Sequence, residues 1–353
     1  MTRRLPFLSA AFAVAGVLAL AGCGSSSSSS SSSSASASQS STSTTLSTQS
    51  GPPTTGPPPA VSELPAALHP RVAQFPSARG KTLEQLATGL RSSIQLGAAT
   101  GTFTPGTGRF AFALNTSSGA FVYAPTALYI ARTPKSPAQG PFIAPADPMT
   151  VPPQYRSKQN SGPGGIQAIY AAQLPLPKAG TYTLLSITRT QSGLLGAPGE
   201  VAVAPSSPIP AVGQRPPAIA TDTLASTHGN TSLLTTRIPP EQMASASFKD
   251  VLGKKPIALI FSTPQLCISR VCGPVTDIAV ELQHRFGDRI TFIHQEVYVD
   301  NDPKKGLRPQ LGAFHLQTEP WLFTVNRQGV IAARLEGSFG MGASTNAIEA
   351  ALR

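Results

Sequence analysis

The sequence predicts a multidomain chain: an all-β antiparallel sandwich over residues 79–205, then an α/β domain with a central sheet flanked by helices over 206–353. Three observations carry this. Between residues 109 and 204, short apolar or alternating runs recur between Gly, Pro and Asn clusters, as in a sandwich of about 100 residues. From residue 256, a buried-strand pattern, a cysteine-bearing loop and an apolar helical stripe follow one another. Ahead of both lies a stretch too polar and repetitive to build a core.

The leader divides at Cys23. Arg3 and Arg4 precede an apolar run from Leu8 to Ala21, too short to span a bilayer comfortably, so residues 1–22 read as an export signal. The ending Leu20-Ala21-Gly22-Cys23 resembles the lipobox of bacterial lipoproteins. The resemblance implies cleavage before Cys23, diacylation of that cysteine by palmitate-like chains, and an anchor on the extracytoplasmic face of the cell membrane. Thr2-Arg3-Arg4 suits a twin-arginine signal, while Pro6 interrupts that pattern, which leaves the export route open. Residues 23–78 then run through serine, Ser/Thr/Gln and Gly/Pro tracts. About 50 such residues reach roughly 40 Å, enough for a tether.

Net charge is +11, yet charged residues make up only 12% of the chain, so scarce acids rather than basic patches set the balance. No stripe suited to nucleic acid is present, and weak attraction to an anionic lipid surface is the expected consequence.

The folded part opens with a helix, signalled by the capping-box spacing of Thr82 and Gln85 and by Leu83, Leu86, Leu90 and Ile94 on one face. Strands are expected at Arg109–Leu114, Phe121–Tyr123, Ala127–Ala131, Gln167–Leu174, Thr181–Ile187 and Glu200–Ala204. Ala179-Gly180-Thr181-Tyr182 resembles the Gly-x-Tyr start of a late strand in immunoglobulin-like domains, where the Tyr hydroxyl bonds back to the corner. The sandwich has no Cys or His and only scattered acids, which marks it as a binding or spacing module.

Beyond the connector, Val212-Gly213-Gln214-Arg215-Pro216-Pro217, the strand pattern Pro256–Phe261, the segment Cys267-Ile268-Ser269-Arg270-Val271-Cys272-Gly273-Pro274 and the stripe Val275, Ile278, Leu282, Phe286 follow in order. In that order they resemble the redoxin branch of the thioredoxin-like superfamily. The resemblance covers residues 211–353 and implies a cis-proline beside the cysteines, the place held by Pro320 at the start of a strand to Val325. Val330–Leu335 and a helix from about Ser344 to Leu352 complete it.

The implied activity is thiol–disulfide exchange on protein thiols or disulfides of the cell envelope, with no cofactor. Pro274 suits the first helical position, so Cys272 would sit at a helix N-terminus that favours its thiolate, with Arg270 adding to the effect and Cys267 as resolving thiol. Five residues of regular helix separate Cα atoms by roughly 8.5 Å, beyond disulfide reach, so 266–271 cannot be one regular helix if the pair is to bond.

The pattern departs from Cys-Gly-Pro-Cys, since Val275 stands where the second Cys would be, and the strand Ile257–Phe261 lacks a buried Asp. His294 and Glu296, alternating along Ile290–Val299, are the candidate substitutes. Three alternatives stay open. Ser269-Arg270-Val271-Cys272 fits the spacing of a peroxiredoxin, though the usual Arg before the late strand is absent. Copper chaperones of the Sco family pair two cysteines with a distant His. Here Thr318 falls near that position and His315 lies three residues away, so a metal set would be Cys267, Cys272 and His315, and otherwise no metal is expected. Last is a non-catalytic binding scaffold stapled by a structural disulfide.

Overall fold

The computed structural model describes residues 62–160 and 165–353. The export signal, Cys23 and the low-complexity tracts lie outside the described residues. The expected tether end at residue 78 moves, however. Residues 62–78 are packed: helix α1 (Leu64–Ala67) buries Ala67, a 3-10 turn spans Val72–Gln74, and Phe75 and Ala78 are buried. Glu63 N donates to Tyr123 O at 2.6 Å, so this segment belongs to the sandwich.

Helix α2 (Leu83–Ala87) starts as read, with the Thr82 hydroxyl accepting from Gln85 N at 3.2 Å and Gln85 Oε1 accepting from Thr82 N at 2.9 Å. It stops after five residues, at Thr88 and a left-handed Gly89 (φ 79°). Leu90 is still buried, but Ile94 opens a strand rather than a third helical turn. The apolar spacing satisfied a helix and a turn-plus-strand equally.

Eight strands then form two four-stranded antiparallel sheets. They are β1 (Ile94–Ala98), β2 (Gly106–Thr116), β3 (Thr126–Ala131), β4 (Gln139–Ile143), β5 (Ala146–Pro148), β6 (Ala168–Leu176), β7 (Gly180–Thr190) and β8 (Gly193–Val203). The orders are β1-β2-β6-β5 and β4-β3-β7-β8. Phe121–Tyr123 makes only isolated bridges, to Asn115 and Ser62. The Tyr182 hydroxyl turns back to the corner, accepting from Lys178 N and donating to Lys178 O, each at 3.1 Å.

Alternation along β2 explains what the sandwich is for. Phe110, Phe112 and Leu114 point into its core, whereas Ala111 and Ala113 point the other way, into a second core shared with the C-terminal part. Small side chains let two layers approach closely. The approach is tightest at Gly337, where an added Cβ would lie 1.5 Å from Ala99 O and φ is 67°. Polar contacts lock the same seam. Glu336 accepts from Gly101 N and Thr102 N at 3.1 and 2.9 Å, and the Asp147 carboxylate accepts from Gly340 N, Gly342 N and Ala343 N at 3.1, 2.7 and 2.9 Å.

The C-terminal part follows a long connector whose only regular pieces are a 3-10 turn at Thr231–Leu233 and helix α3 (Phe248–Val251). Its third sheet has the order β10-β9-β11-β12, built from β9 (Ile257–Phe261), β10 (Thr291–Gln295), β11 (Trp321–Val325) and β12 (Ile331–Glu336). Strands β9 and β10 are parallel, while β11 is antiparallel to both β9 and β12. Helix α4 (Cys272–Phe286) makes the crossover between β9 and β10, α5 (Pro309–Ala313) is short, and α6 (Met341–Leu352) closes the chain. Val275, Ile278 and Leu282 are buried, as their spacing predicts. With three four-stranded sheets and few helices, the described protein is mostly β. Among the described residues no helix is long and apolar enough to cross a membrane.

Candidate functional site

All five residues of β9 are buried, which makes it the fixed floor of the site. Its register pairs Phe261 with Trp321 of β11, so Glu319 and Pro320 arrive at the same sheet edge from which the cysteine loop leaves. The Glu319–Pro320 peptide is cis, as expected.

The loop is not helical. Leu266 N and Cys267 N both donate to Thr263 O, at 3.3 and 3.2 Å, Arg270 N donates to Cys267 O at 3.2 Å, and Arg270 takes a left-handed φ of 58°. Two successive turns thereby fold Cys267 back toward the start of α4, and its sulfur and that of Cys272 lie within 4.8 Å of each other. Both thiols are free. Pro274 is the third helical residue, not the first, so Cys272 itself opens the helix.

The two sulfurs differ in the direction opposite to expectation. Cys272 is 0% exposed and Cys267 8%. Burial, then the neighbouring Cys267, pushes the Cys272 thiol well above its ordinary value, and the charge of Glu319 adds to this. Cys267 is lowered to about 6: a hydrogen bond from Cys272 is the main cause, burial opposes it, and Ser269 together with the backbone of Cys272 and Val271 assists. The amides at the start of α4 therefore stabilise the Cys267 thiolate rather than that of their own cysteine. Ser269 Oγ stands 3.2 Å from Cys267 Sγ, so it serves that sulfur and not Cys272. Arg270 is exposed on the outside of the turn.

His294 and Glu296 do not take the place of a buried carboxylate beside the sulfurs. Strand β10 ends at Gln295, which puts Glu296 beyond the alternation. Its Oε1 accepts from Thr236 N and Oγ1 at 2.6 and 2.7 Å. His294 is buried and paired through Nδ1 with Glu241 Oε1 at 2.6 Å. Its Nε2 meets Ser262 Oγ at 2.9 Å; Ser262 bonds Thr276 Oγ1 at 2.8 Å, and Thr276 donates to Cys272 O at 2.8 Å. The network thus reaches Cys272 at its carbonyl, not its sulfur. Burial works against the imidazolium, but the charge and hydrogen bond of Glu241, with help from Glu296, raise His294 to about 9.

The carboxylate beside both sulfurs is that of Glu319. Its carboxylate and the two Sγ atoms all lie within 4.8 Å of one another, and of the described residues these are the donors that could reach one ion. The expected copper set is not gathered, since His315 is exposed and outside that group, and Thr318 Oγ1 accepts from the Trp321 indole at 3.2 Å. Burial, then the charge on Cys267, raises the Glu319 carboxyl above its ordinary value. Sequence reasoning missed both Glu319 and Glu241. For Glu319 a signal existed, an acid directly before the proline already singled out; for Glu241, in an irregular connector, none did.

Chemically, the arrangement offers a lowered thiol at Cys267, a fully covered and raised thiol at Cys272 within reach of it, and the Glu319 carboxylate adjacent to both sulfurs. No protein-family model matches the chain, and no curated protein matches it.

Proposed function

We propose that this chain is a thiol–disulfide exchange protein, carried outside the cytoplasm on a diacylated Cys23, whose C-terminal part is a thioredoxin-like domain. A parallel β9–α4–β10 unit joined to the antiparallel β11 and β12, with the cysteine loop and Pro320 at one sheet edge, supports the fold reading. The single observation that carries the function is the asymmetry of the pair: both are buried, but Cys267 keeps 8% exposure and is lowered, while Cys272 beside it is fully covered and raised.

In this reading the roles of the two cysteines are the reverse of those expected from sequence. Cys267 thiolate attacks one sulfur of a partner disulfide; that S–S bond breaks and the released partner thiolate takes a proton from solvent. Cys272 then gives its proton to the Glu319 carboxylate, and its thiolate attacks the Cys267 sulfur of the mixed disulfide. A Cys267–Cys272 bond forms, the second partner sulfur leaves as a thiolate, and Glu319 returns the proton to it. The partner gains two electrons and the pair loses two; run backward, the same steps oxidise a partner dithiol.

Trapping decides it. In a Cys272→Ser variant the mixed disulfide with a reducible substrate accumulates, and in Cys267→Ser none forms. Accumulation in Cys267→Ser instead, through Cys272, would overturn the assignment.

A further inference from the structure

Beside the cysteine loop, the seam between sandwich and C-terminal part opens into a cleft of about 800 Å³. One wall is formed by Gly97 of β1 and Ala113 of β2, with Phe121 and Ile166 from the segments after β2 and before β6; the other holds Ser269, Val271 and Glu319. Ser269 and Glu319 are the residues that flank the sulfurs, so the cleft ends at the reactive pair.

We propose that this cleft seats the polypeptide segment flanking the substrate's disulfide, an extended stretch with small or aliphatic side chains, and that the sandwich thereby selects the substrate. The inference rests on the exchange reading. It differs from that reading in giving a substrate-contacting role to residues more than 100 positions away in the chain.

Continuity on both sides argues for this occupant. Ala99, Ala113, Ile166 and Val271 pack at the edge of the core shared by the two parts, and the cleft prolongs that apolar seam to the surface. A ligand lying along it reaches Ser269 and Glu319, the side chains beside Cys267, and so carries a disulfide to that sulfur. The volume, at the upper end of roughly 300–1,000 Å³ for ligand pockets, holds several side chains and is far larger than a dithiol reagent requires. Ile268, next in the chain to Cys267, is 95% exposed. Apolar surface left open beside a nucleophile suits a chain that passes over it.

Gly97 provides the test. It lies within strand β1, and a Cβ built on it meets nothing within 4 Å, so a larger side chain there fills cleft rather than core. The full chain with Gly97→Leu, and separately Ala113→Leu, is reduced and mixed with two oxidants: dithiobis-nitrobenzoate, and a short peptide disulfide whose cysteines are flanked by Ala, Val and Leu. We expect the second-order rate with the peptide to fall by about tenfold or more, the equivalent of one or two methylene groups denied burial, while the small disulfide changes by less than about twofold. The unaltered protein is expected to prefer that peptide over one with Asp and Glu flanks by a similar factor. No preference between the two peptides, or equal losses for peptide and reagent in both variants, would overturn the inference while leaving exchange intact. If Cys267 of the unaltered protein reacts with neither oxidant, the exchange reading itself fails.

Discussion

Glu241 and His294 form a buried ion pair beneath the cysteine loop, Oε1 to Nδ1 at 2.6 Å, although 53 residues of chain separate them. The pair ties the irregular connector to β10, and through Ser262 and Thr276 to the first turn of α4. It therefore sets how firmly the helix that carries Cys272 is held.

Its charge makes stability pH-dependent. His294 is raised in the folded state from 6.5 to about 9, so its contribution is complete below about pH 6.5 and is lost as pH rises through about 9. Glu241 is lowered, with burial opposing and His294 driving the shift, so its contribution holds above its ordinary value of 4.5 and fades only in stronger acid. Urea unfolding at pH 6.5 and pH 9 of a Cys267→Ser/Cys272→Ser protein, which removes the opposing titration of the lowered Cys267 thiol, is expected to show a loss of about 1–3 kcal/mol across that window. Glu241→Gln should abolish most of the difference while lowering stability at pH 6.5.

Alkylation should report on the sulfurs separately. With Cys272→Ser as background, the rate of Cys267 with iodoacetamide is expected to rise with pH and to level off above the thiolate midpoint. Because the Cys272 hydrogen bond is the largest cause of the lowering, that midpoint should lie between about 6 and the ordinary 9.0, and below it in the intact pair. Ser269→Ala removes a 3.2 Å hydrogen bond to the thiolate and should raise the midpoint by roughly half a unit to one unit. Cys272, 0% exposed, should resist the reagent until the protein unfolds.

Asp147 acts as the N-terminal cap of a helix that belongs to another part of the chain. It accepts three amide hydrogens of α6 from within β5. Asp147→Ala is expected to cost roughly 1–2 kcal/mol by thermal or urea unfolding, in line with loss of a helix cap, and to speed amide exchange at residues 340–343 first.

Gly337→Ala should be far more damaging than a single methyl group suggests. Its Cβ would lie 1.5 Å from Ala99 O, and φ of 67° is already unfavourable for alanine. We expect a loss of more than about 3 kcal/mol, measured by denaturant unfolding, because the backbone of one part must withdraw from the other. Gly80→Ala, where φ is 70° and a Cβ meets nothing within 4 Å, is the matched control.

What was legible in the sequence followed local periodicity. Alternation at Phe110, Phe112 and Leu114 located the sandwich core, the stripe Val275, Ile278, Leu282 located α4, and Gly287 is its C-cap. Spacing also excluded a regular helix between the cysteines, and the loop found there has two turns instead. What local pattern could not convey is which way a side chain is solvated. A helix N-terminus ordinarily favours its own thiolate, yet here burial of Cys272 outweighs it and the same amides serve Cys267. Nor does alternation in β2 say what lies on the far side, where Ala111 and Ala113 meet a second core. The extent of α2 failed for a related reason, since Leu90 and Ile94 fit a helical stripe until a left-handed Gly89 intervenes.

The alanine face of β2 also bears on how this protein can change over time. A module that merely holds another away from a surface can be lengthened, exchanged or deleted without harm to its cargo. Here each half supplies part of the other's interior, from Ile169 against the α4 and α6 layer to Asp147 at the tip of α6. A fragment beginning at residue 206 would bare that layer to water and lose the cap of its last helix. The two halves are therefore bound to be inherited together, and a change in one must be answered across the seam in the other.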